Sequence, residues 1–292
     1  MNKTIFLYAN PEFDERYKCG ISRLYRIFFR EHGLNLEIID DEFLKSNIPK
    51  DDFPDILVIA GGDGTFHRVI NTIPSPVLTK YNLGIIPGGT ANEFAKSIGL
   101  PRSFEDAARV IAQNNKVIIS KKGVINGKYH FATGFLYGIA CKALEETSVK
   151  SKFYLGSYAY QLPGLFSISN YCDFVKKFNI NSTGFSTGYL LINNASLLSK
   201  NIPANSIKAE NKNLFSFVYL YPNLNIGDLL RLIVNNQIGE NILLDPMINY
   251  RQIDDFSLEF EGMISFMLDG EVYKLASPLK FEHSEHEMKI IV

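Results

Sequence analysis

The first 120 residues alternate short apolar runs with segments in which apolar residues recur at helical spacing. Such alternation is typical of βαβ units around a parallel sheet. The apolar runs predict strands at residues 4–9, 55–60 and 83–87. The helical spacing predicts helices at residues 21–32, 66–72 and 91–98. Ser103 is expected to open a further helix, because Asp106 follows it at capping-box spacing.

From about residue 117 the pattern changes to closely spaced strands separated by turn residues, and Asn126-Gly127 is a strong hairpin signal. Further strands are predicted at 189–193, 214–221, 256–260, 265–268 and 289–292, with one helix at 226–235. The chain is therefore expected to be α/β, with a doubly wound parallel-sheet domain (1–120) and a β-sandwich domain (121–281). Residues 282–292 are expected to pack back on the first domain.

The region from residue 153 to residue 178 is unusually aromatic. It contains Phe153, Tyr154, Tyr158, Tyr160, Phe166, Tyr171, Phe174 and Phe178. Core packing is one interpretation of this region. The other is a wall of a lipid-binding cleft or an interfacial face, because tyrosine combines an apolar ring with a polar tip.

The first candidate site is the turn Gly61-Gly62-Asp63-Gly64-Thr65, which lies between a predicted buried strand and a predicted helix. Glycines let backbone amides approach a ligand, and the following helix N-terminus favours an anion. A phosphate group is the expected ligand of this turn. Asp63 could face Mg²⁺ or a ribose hydroxyl, or be an ordinary turn residue. Thr65 could cap the helix and still contact phosphate.

A second glycine-rich turn, Gly88-Gly89-Thr90, also joins a predicted strand to a predicted helix. In an open parallel sheet the carboxyl ends of neighbouring strands line one crevice, so both turns can hold one phosphate chain. Thr90 and Glu93 have capping-box spacing, which is an equally good structural explanation for part of this turn. Asn92, expected to be exposed in the first helical turn, is not explained by capping.

Several classes of protein are excluded or disfavoured by what the sequence lacks. It has no GxxxxGK[ST] or GxGxxG motif and no GxSxG elbow. A formal net charge of −1 argues against nucleic-acid binding. His283 and His286 would point to opposite faces of a strand, so a metal site there is not expected.

The expected location is the cytoplasm, with peripheral contact at a membrane. The first apolar stretch is too short for a signal-peptide core, and no apolar run approaches the ~20 residues that span a bilayer. Three cysteines, Cys19, Cys141 and Cys172, have no CxxC spacing and suggest neither a disulfide framework nor a zinc ribbon.

Four sequence segments in this order resemble the diacylglycerol kinase catalytic domain family, which includes bacterial lipid kinases and sphingosine kinases. They are GGDGT (61–65), PGGTANEFAKSIGLP (87–101), SKFYLGSYAYQLPGL (151–165) and FMLDGEVYKLASPLKF (266–281). The resemblance spans essentially the whole chain. It implies an NAD-kinase-like first domain, ATP and Mg²⁺ as cofactors, and phosphoryl transfer to a lipid hydroxyl in a cleft between the domains.

The resemblance also implies roles for individual residues. In Asp269-Gly270-Glu271 it makes Glu271 the general base and Asp269 a supporting carboxylate, although Asp-Gly-Glu is equally well explained as a hairpin turn. Asp63 would also contact Mg²⁺ through ATP. The implied nucleotide-binding residues are Asn10, Gly61, Gly62, Asp63, Gly64, Thr65, Gly88, Gly89, Thr90 and Asn92.

The chain departs from the family pattern near the expected nucleotide. Glu12-Phe13 replaces the usual Ser-Gly after Asn10-Pro11, and His67 and Arg68 replace the usual Asn-Glu after the first turn. Where bacterial relatives have Asp-Gly at a structural Mg²⁺ site, the most natural alignment gives Lys212-Asn213, with Asn211 as a neighbouring alternative. The Lys212 ammonium would replace the cation, or the site is lost, because a cation does not coordinate a cation.

Three functions follow, in decreasing order of support. The first is an ATP-dependent lipid kinase acting on diacylglycerol or a related lipid at a membrane surface. The second is a catalytically silent relative that binds nucleotide or lipid, which the departures at His67, Arg68 and Lys212 favour. The third is an NAD kinase, which shares GGDGT. The identity of the lipid and the oligomeric state, including a homodimer, stay open.

Overall fold

The computed structural model describes residues 3–45, 55–139, 141, 168–194, 214–237 and 242–292. Backbone contacts divide the chain into two compact units. The first comprises residues 1–122 and 284–292, and the second comprises residues 123–283. The chain passes between the units within two strands, β5 (Val117–Ile125) and β16 (Leu279–Ile291).

The first unit contains a parallel sheet in the order β2-β1-β3-β4-β16. Its other strands are β1 (Thr4–Ala9), β2 (Asn35–Ile39), β3 (Ile56–Gly61) and β4 (Asn82–Pro87). All six residues of β3 are buried, as expected for a strand covered on both faces. The predicted strands at 4–9, 55–60 and 83–87 are therefore confirmed to within one residue.

Short helices connect the parallel strands. They are α1 (Phe13–Arg16), α2 (Gly20–Tyr25) continuing as a π-helical segment (Arg26–Glu31), α3 (Asp41–Lys45), α4 (Asp63–Thr72), α5 (Ser75–Leu78), α6 (Glu93–Ser97) and α7 (Phe104–Gln113). The Ser103 cap is confirmed, because its hydroxyl accepts a hydrogen bond from the Asp106 amide at 3.3 Å.

Two predicted helices have different bounds in the structure. Helix α4 begins at Asp63, three residues before the predicted start, because the extended Gly62 precedes it and caps it. Helix α6 is shorter than the predicted 91–98. Its start is limited by Asn92 at φ +50° and its end is followed by Gly99 at φ +80°, both in the left-handed region.

The second unit is mostly antiparallel β structure. Its strands are β6 (Tyr129–Phe131), β7 (Gly134–Gly138), β8 (Lys176–Ile180), β9 (Thr183–Thr187), β10 (Tyr189–Asn194), β11 (Phe215–Leu220), β12 (Ile248–Ile253), β13 (Phe256–Phe260), β14 (Met263–Leu268) and β15 (Glu271–Ala276). Helix α8 spans Ile226–Gln237, and 3₁₀ segments span Ile168–Phe174 and Ile242–Leu244.

Two sheets of this unit share one hydrophobic core. One sheet has the order β16-β13-β8-β9, and the other has the order β12-β11-β10-β7-β14-β15. Phe178 and Phe256 from the first sheet pack in the same buried cluster as Phe135 and Phe217 from the second. This arrangement confirms the expected fold class of a parallel-sheet α/β region followed by a β-sandwich.

The hairpin prediction at Asn126-Gly127 is also confirmed. Both residues have positive φ, +53° and +66°, and they join β5 to β6. Most of the aromatic-rich region, residues 153–167, lies outside the described residues. Of its described members, Phe178 packs in the sandwich core, and Tyr171 and Phe174 pack in a smaller cluster with α8. No helix in the described ranges is long and apolar enough to span a bilayer.

Candidate functional site

The first glycine-rich turn leaves the end of β3 and enters α4 directly. Gly61 is the last residue of β3, and Gly62 is the N-cap of α4. A side chain at Gly61 would collide with the side chain of Thr65, so the tight turn requires glycine there. Thr65 lies inside the first helical turn and is buried, so its predicted role as the helix cap is wrong.

The second glycine-rich turn touches the first. The Gly88 amide donates a hydrogen bond to the Gly61 carbonyl at 2.7 Å. A Cβ added to Gly89 would lie 2.5 Å from the Cα of Gly62, so the two backbones can approach this closely only without side chains. The structure therefore brings the two predicted phosphate turns together at the carboxyl ends of the paired strands β3 and β4.

Asp63 connects the two turns through its carboxylate. Its Oδ2 accepts a hydrogen bond from the Glu93 amide and its Oδ1 accepts one from the Phe94 amide, both at 3.0 Å. These amides open α6, so a residue of the first turn caps the helix of the second. The capping-box interpretation of Thr90 and Glu93 is wrong, because the structure places Asn92 at the N-cap and Asp63 supplies the acceptor.

Asn92 closes the second turn on itself. Its Oδ1 accepts a hydrogen bond from the Gly89 amide at 2.8 Å, and its Nδ2 donates to the Gly89 carbonyl at 2.9 Å. The residue is half-buried and adopts a left-handed conformation before α6 begins, rather than lying exposed within the helix as expected. Asparagine suits this position because it tolerates positive φ and bonds its own backbone.

Asn10 joins the loop after β1 to the first turn. Its backbone amide donates to the Ala60 carbonyl at 2.8 Å, and its Nδ2 donates to the Thr65 hydroxyl at 3.2 Å. Its Oδ1 accepts a hydrogen bond from the Glu12 amide at 2.8 Å. The side chain thus fixes both its own loop and the start of α4.

Two residues that the sequence interpretation did not select belong to this site. Phe13 is 2% exposed, and its ring lies against Gly88, where an added Cβ would be 2.7 Å from Phe13 Cδ2. The exposed Arg16 donates from Nη2 to the Thr90 hydroxyl at 3.5 Å. The available signal was weak: a basic residue in the segment after β1, at the same sheet edge as both glycine turns.

The two residues of the unusual pair His67-Arg68 have different surroundings, because His67 is buried and Arg68 is exposed. His67 is 4% exposed, with its Nε2 3.4 Å from Asn71 Nδ2. Arg68 forms an ion pair with Asp41 at 2.9 Å, and Asp41 also accepts a hydrogen bond from the Tyr8 hydroxyl at 2.5 Å. That hydrogen bond lowers the pKa of Asp41, while burial and then Asp41 raise the pKa of Tyr8. The Arg68 guanidinium is therefore held by α3.

In the second unit, Asp269-Gly270 forms the two-residue loop of the β14–β15 hairpin. Both residues have positive φ, +50° and +94°, which confirms the hairpin interpretation. Asp269 is 7% exposed, and its carboxylate accepts hydrogen bonds from the Ala132, Thr133 and Gly134 amides at 2.8–3.1 Å and from the Thr133 hydroxyl at 2.5 Å.

This anchoring leaves Glu271 exposed as the first residue of β15. Asp269 thus fixes the hairpin tip that carries Glu271, and its role as a supporting carboxylate in catalysis stays a prediction. The assignment of Glu271 as a general base stays a prediction.

The described part of the chain holds no group of three or more His, Cys, Asp or Glu side chains suited to a metal ion. The three cysteines are free thiols. His283 is nearly buried against Phe215, whereas His286 is exposed, which agrees with opposite faces of β16. Lys212-Asn213, which is expected to replace the structural Mg²⁺ site of bacterial relatives, lies outside the described residues.

Comparison with known proteins identifies the family resemblance independently. Residues 30–121 match the family model described as the diacylglycerol kinase catalytic domain. The chain is 34% identical over 113 residues to a diacylglycerol kinase of Staphylococcus carnosus, covering 38% of this chain but only 35% of that protein. It is 27% identical to a diacylglycerol kinase of Bacillus subtilis over 74% of this chain and 71% of that protein.

Solved structures support the same fold. The structure of a diacylglycerol kinase from Bacillus anthracis aligns with a TM-score of 0.64 at 17% identity, covering 99% of this chain and 96% of the other. An NAD kinase from Archaeoglobus fulgidus, solved with ATP, aligns with a TM-score of 0.53 at 10% identity, covering 99% and 93%. The resemblance to the diacylglycerol kinase catalytic domain is confirmed over residues 30–121, and the NAD-kinase-like fold of the first domain is confirmed as well.

Proposed function

Because residues 30–121 match the diacylglycerol kinase catalytic domain, we propose that this chain is a lipid kinase that transfers the γ-phosphate of ATP to a lipid hydroxyl, with diacylglycerol the first acceptor to test. The observation that carries the proposal is the contact between the two glycine-rich turns at Gly62 and Gly89. That contact gathers backbone amides at one sheet edge, where they would bind a phosphate chain.

The residues at these turns fit a nucleotide phosphate. A Cβ at Gly88 would collide with Phe13 and one at Gly89 would collide with Gly62, so the glycines let the two turns pack closely against each other. Gly64 is the second residue of α4, and its amide lies beyond the reach of the helix's own carbonyls. Arg16, beside Thr90, would neutralise phosphate charge.

Asp63 would hold Mg²⁺ with the oxygen lone pairs that the Glu93 and Phe94 amides leave unused. One carboxylate together with phosphate oxygens and water is an ordinary ligand set for this ion. When bound, ATP supplies the phosphoryl group and Mg²⁺ supplies countercharge.

The chain's own contribution to the chemistry is alignment and proton transfer. A loose phosphoryl transition state requires mainly positioning and charge neutralisation, and the acceptor alcohol must lose a proton. Glu271 would accept that proton at its exposed carboxylate. Asp269, locked by three backbone amides, would keep the hairpin tip in one conformation so that Glu271 is presented consistently.

The direct test is transfer of labelled phosphate from ATP to diacylglycerol in mixed vesicles. Glu271→Gln should reduce turnover about 10²- to 10⁴-fold, because the amide cannot accept the proton. Its affinity for MgATP should stay near the wild-type value. Glu261→Gln is the matched control, since Glu261 is also an exposed carboxylate in the same unit, in the short link between β13 and β14. Full activity in Glu271→Gln would exclude Glu271 as the base.

A second candidate function is nucleotide or lipid binding without catalysis. The observation that favours it is that both oxygens of Asp63 already accept backbone amides. This function predicts MgATP binding by calorimetry together with no turnover on diacylglycerol, sphingoid bases or phosphatidylglycerol. The NAD kinase alternative is tested by replacing the lipid with NAD in the assay with labelled ATP.

The proposed substrate also implies peripheral contact with a membrane and a cytoplasmic location. Because the net charge is −1, apolar insertion should contribute more than basic residues. Co-sedimentation with vesicles should therefore depend weakly on the fraction of anionic lipid. Absence of binding at every composition would contradict this proposal, and light scattering would establish whether the protein is a homodimer.

A further inference from the structure

Lys122 is a buried cation that the proposed chemistry does not use. It lies in β5 and is 1% exposed. Its Nζ donates hydrogen bonds to the Ile70 carbonyl at 3.1 Å and to the Ser75 hydroxyl at 2.9 Å, and both partners are neutral. Burial lowers the pKa of Lys122 to about 8. Lysine is rarely buried without a carboxylate, because removing an ammonium from water is costly.

The position of the two acceptors gives this lysine a structural meaning. Ile70 lies in the last turn of α4, where the helix's carbonyls have no partner within the helix. Ile70 is 0% exposed, so an acceptor there must be satisfied from inside the protein. A cation at a helix C-terminus also interacts favourably with the helix dipole. Ser75 begins α5, so one ammonium joins β5, α4 and α5.

The other end of α4 is the first glycine-rich turn. The helix has ten residues and buries Phe66, Val69 and Ile70 along its length, so we expect it to move as one body. A displacement at the Ile70 end would therefore shift Asp63 relative to the amides it caps at Glu93 and Phe94. The contact between the turns leaves no room for a side chain, because a Cβ on Gly89 would lie 2.5 Å from the Cα of Gly62.

We propose that Lys122 is a positioning residue: it anchors the C-terminal end of α4 and thereby fixes the first glycine-rich turn against the second. The anchoring of α4 follows from the hydrogen bonds of Lys122 alone. Its consequence for nucleotide affinity rests on the proposed function.

The test compares Lys122→Met with wild type by amide hydrogen exchange and by calorimetric titration with MgATP. Methionine keeps much of the apolar volume and removes both hydrogen bonds. Exchange should accelerate about tenfold or more across α4 and at the Glu93 and Phe94 amides, because bonds to a charged donor are lost. Exchange in β1 and β3 should stay within twofold of wild type. MgATP affinity should fall about tenfold.

Two further variants make the result decisive. Ser75→Ala leaves Lys122 in place and removes one acceptor, so it should produce the same local pattern at smaller amplitude even if Lys122→Met folds poorly. Lys116→Met removes an exposed ammonium just before the same strand and should change neither measurement.

Unchanged exchange in α4, or a uniform increase across the whole first unit, would overturn the proposal, the latter because it indicates a general role in the core. If wild type binds no MgATP, the proposed function fails, whereas the exchange comparison still decides the role of Lys122.

Discussion

Asp63 and Asp269 are both predicted site residues, and the carboxylates of both accept hydrogen bonds from backbone amides. Asp269 is almost fully buried, and its carboxylate accepts hydrogen bonds from three amides and one hydroxyl of a single short segment, Ala132–Gly134. Asp63 is half-buried and accepts two amides at the start of α6. An enclosed aspartate therefore acts as an anchor of the fold, whereas an aspartate that solvent reaches acts as a local clamp.

The loss of stability on removing a charged side chain should therefore increase with the burial of that side chain. A buried charge saturated by donors leaves several unsatisfied groups when it is lost, whereas a half-exposed charge leaves groups that water can reach. The same comparison applies to two cations, because Lys122 is buried and Arg68 is exposed.

Asp269→Ala should have the largest effect on stability. Three amides and one hydroxyl lose a charged acceptor in a nearly closed site, so the free energy of unfolding should fall by about 3 kcal/mol or more. Urea denaturation followed by circular dichroism measures this change. Asp269→Asn should lose less, because one amide oxygen still accepts. A loss below about 1 kcal/mol for Asp269→Ala would show that enclosure does not control the effect.

Lys122 should produce the second largest effect, visible as a dependence on pH. Its pKa of about 8 in the folded protein lies below the ordinary lysine value of 10.5, so between these values the unfolded chain binds more protons. Below pH 8 the folded protein bears the full cost of burying the Lys122 ammonium. The free energy of unfolding therefore rises as the pH increases from 8 to 10.5. The gain should be roughly 3 kcal/mol.

Lys122→Met isolates this contribution from other titrations. The difference in unfolding free energy between wild type and the variant should shift in favour of wild type from pH 8 to pH 10.5, measured by denaturant titration at each pH. A difference that stays constant across this range would mean that Lys122 has an ordinary pKa.

Asp63→Ala should be milder for stability, at about 1–2 kcal/mol, because it removes a helix cap that solvent partly replaces. Its main effect should be local, as faster exchange of the Glu93 and Phe94 amides and weaker MgATP binding. Asp106→Ala is the matched control, since Asp106 is an exposed acid in the first turn of α7. If Asp63→Ala and Asp269→Ala lowered the free energy of unfolding equally, the distinction between a local clamp and an anchor of the fold would be contradicted.

The sequence predicted those parts of the fold that depend on local pattern. Buried parallel strands must be continuously apolar, so β1, β3 and β4 were located within one residue. The hairpins at Asn126-Gly127 and Asp269-Gly270 were recognisable because their residues tolerate positive φ. The two glycine-rich turns were placed at one sheet edge because parallel strands present their carboxyl ends together.

What the sequence missed depends on partners far along the chain. Asp63 caps a helix that begins thirty residues later, so no local pattern distinguishes that role from the Thr90–Glu93 capping box. Phe13 supports Gly88 only after the sheet has formed. Lys122 reads as a solvent-exposed strand residue until α4 and α5 pack against it.

Arg68→Ala should have the smallest effect of the series. Its ion pair with Asp41 joins two exposed side chains, and such pairs contribute about 0–1 kcal/mol. Because the guanidinium is held by α3, MgATP affinity should change less than about threefold. Arg16→Ala, which removes the arginine beside Thr90, is the informative contrast and should weaken MgATP binding about tenfold. If calorimetry instead found the larger loss of MgATP affinity in Arg68→Ala, the departure at this position would contribute to the nucleotide site.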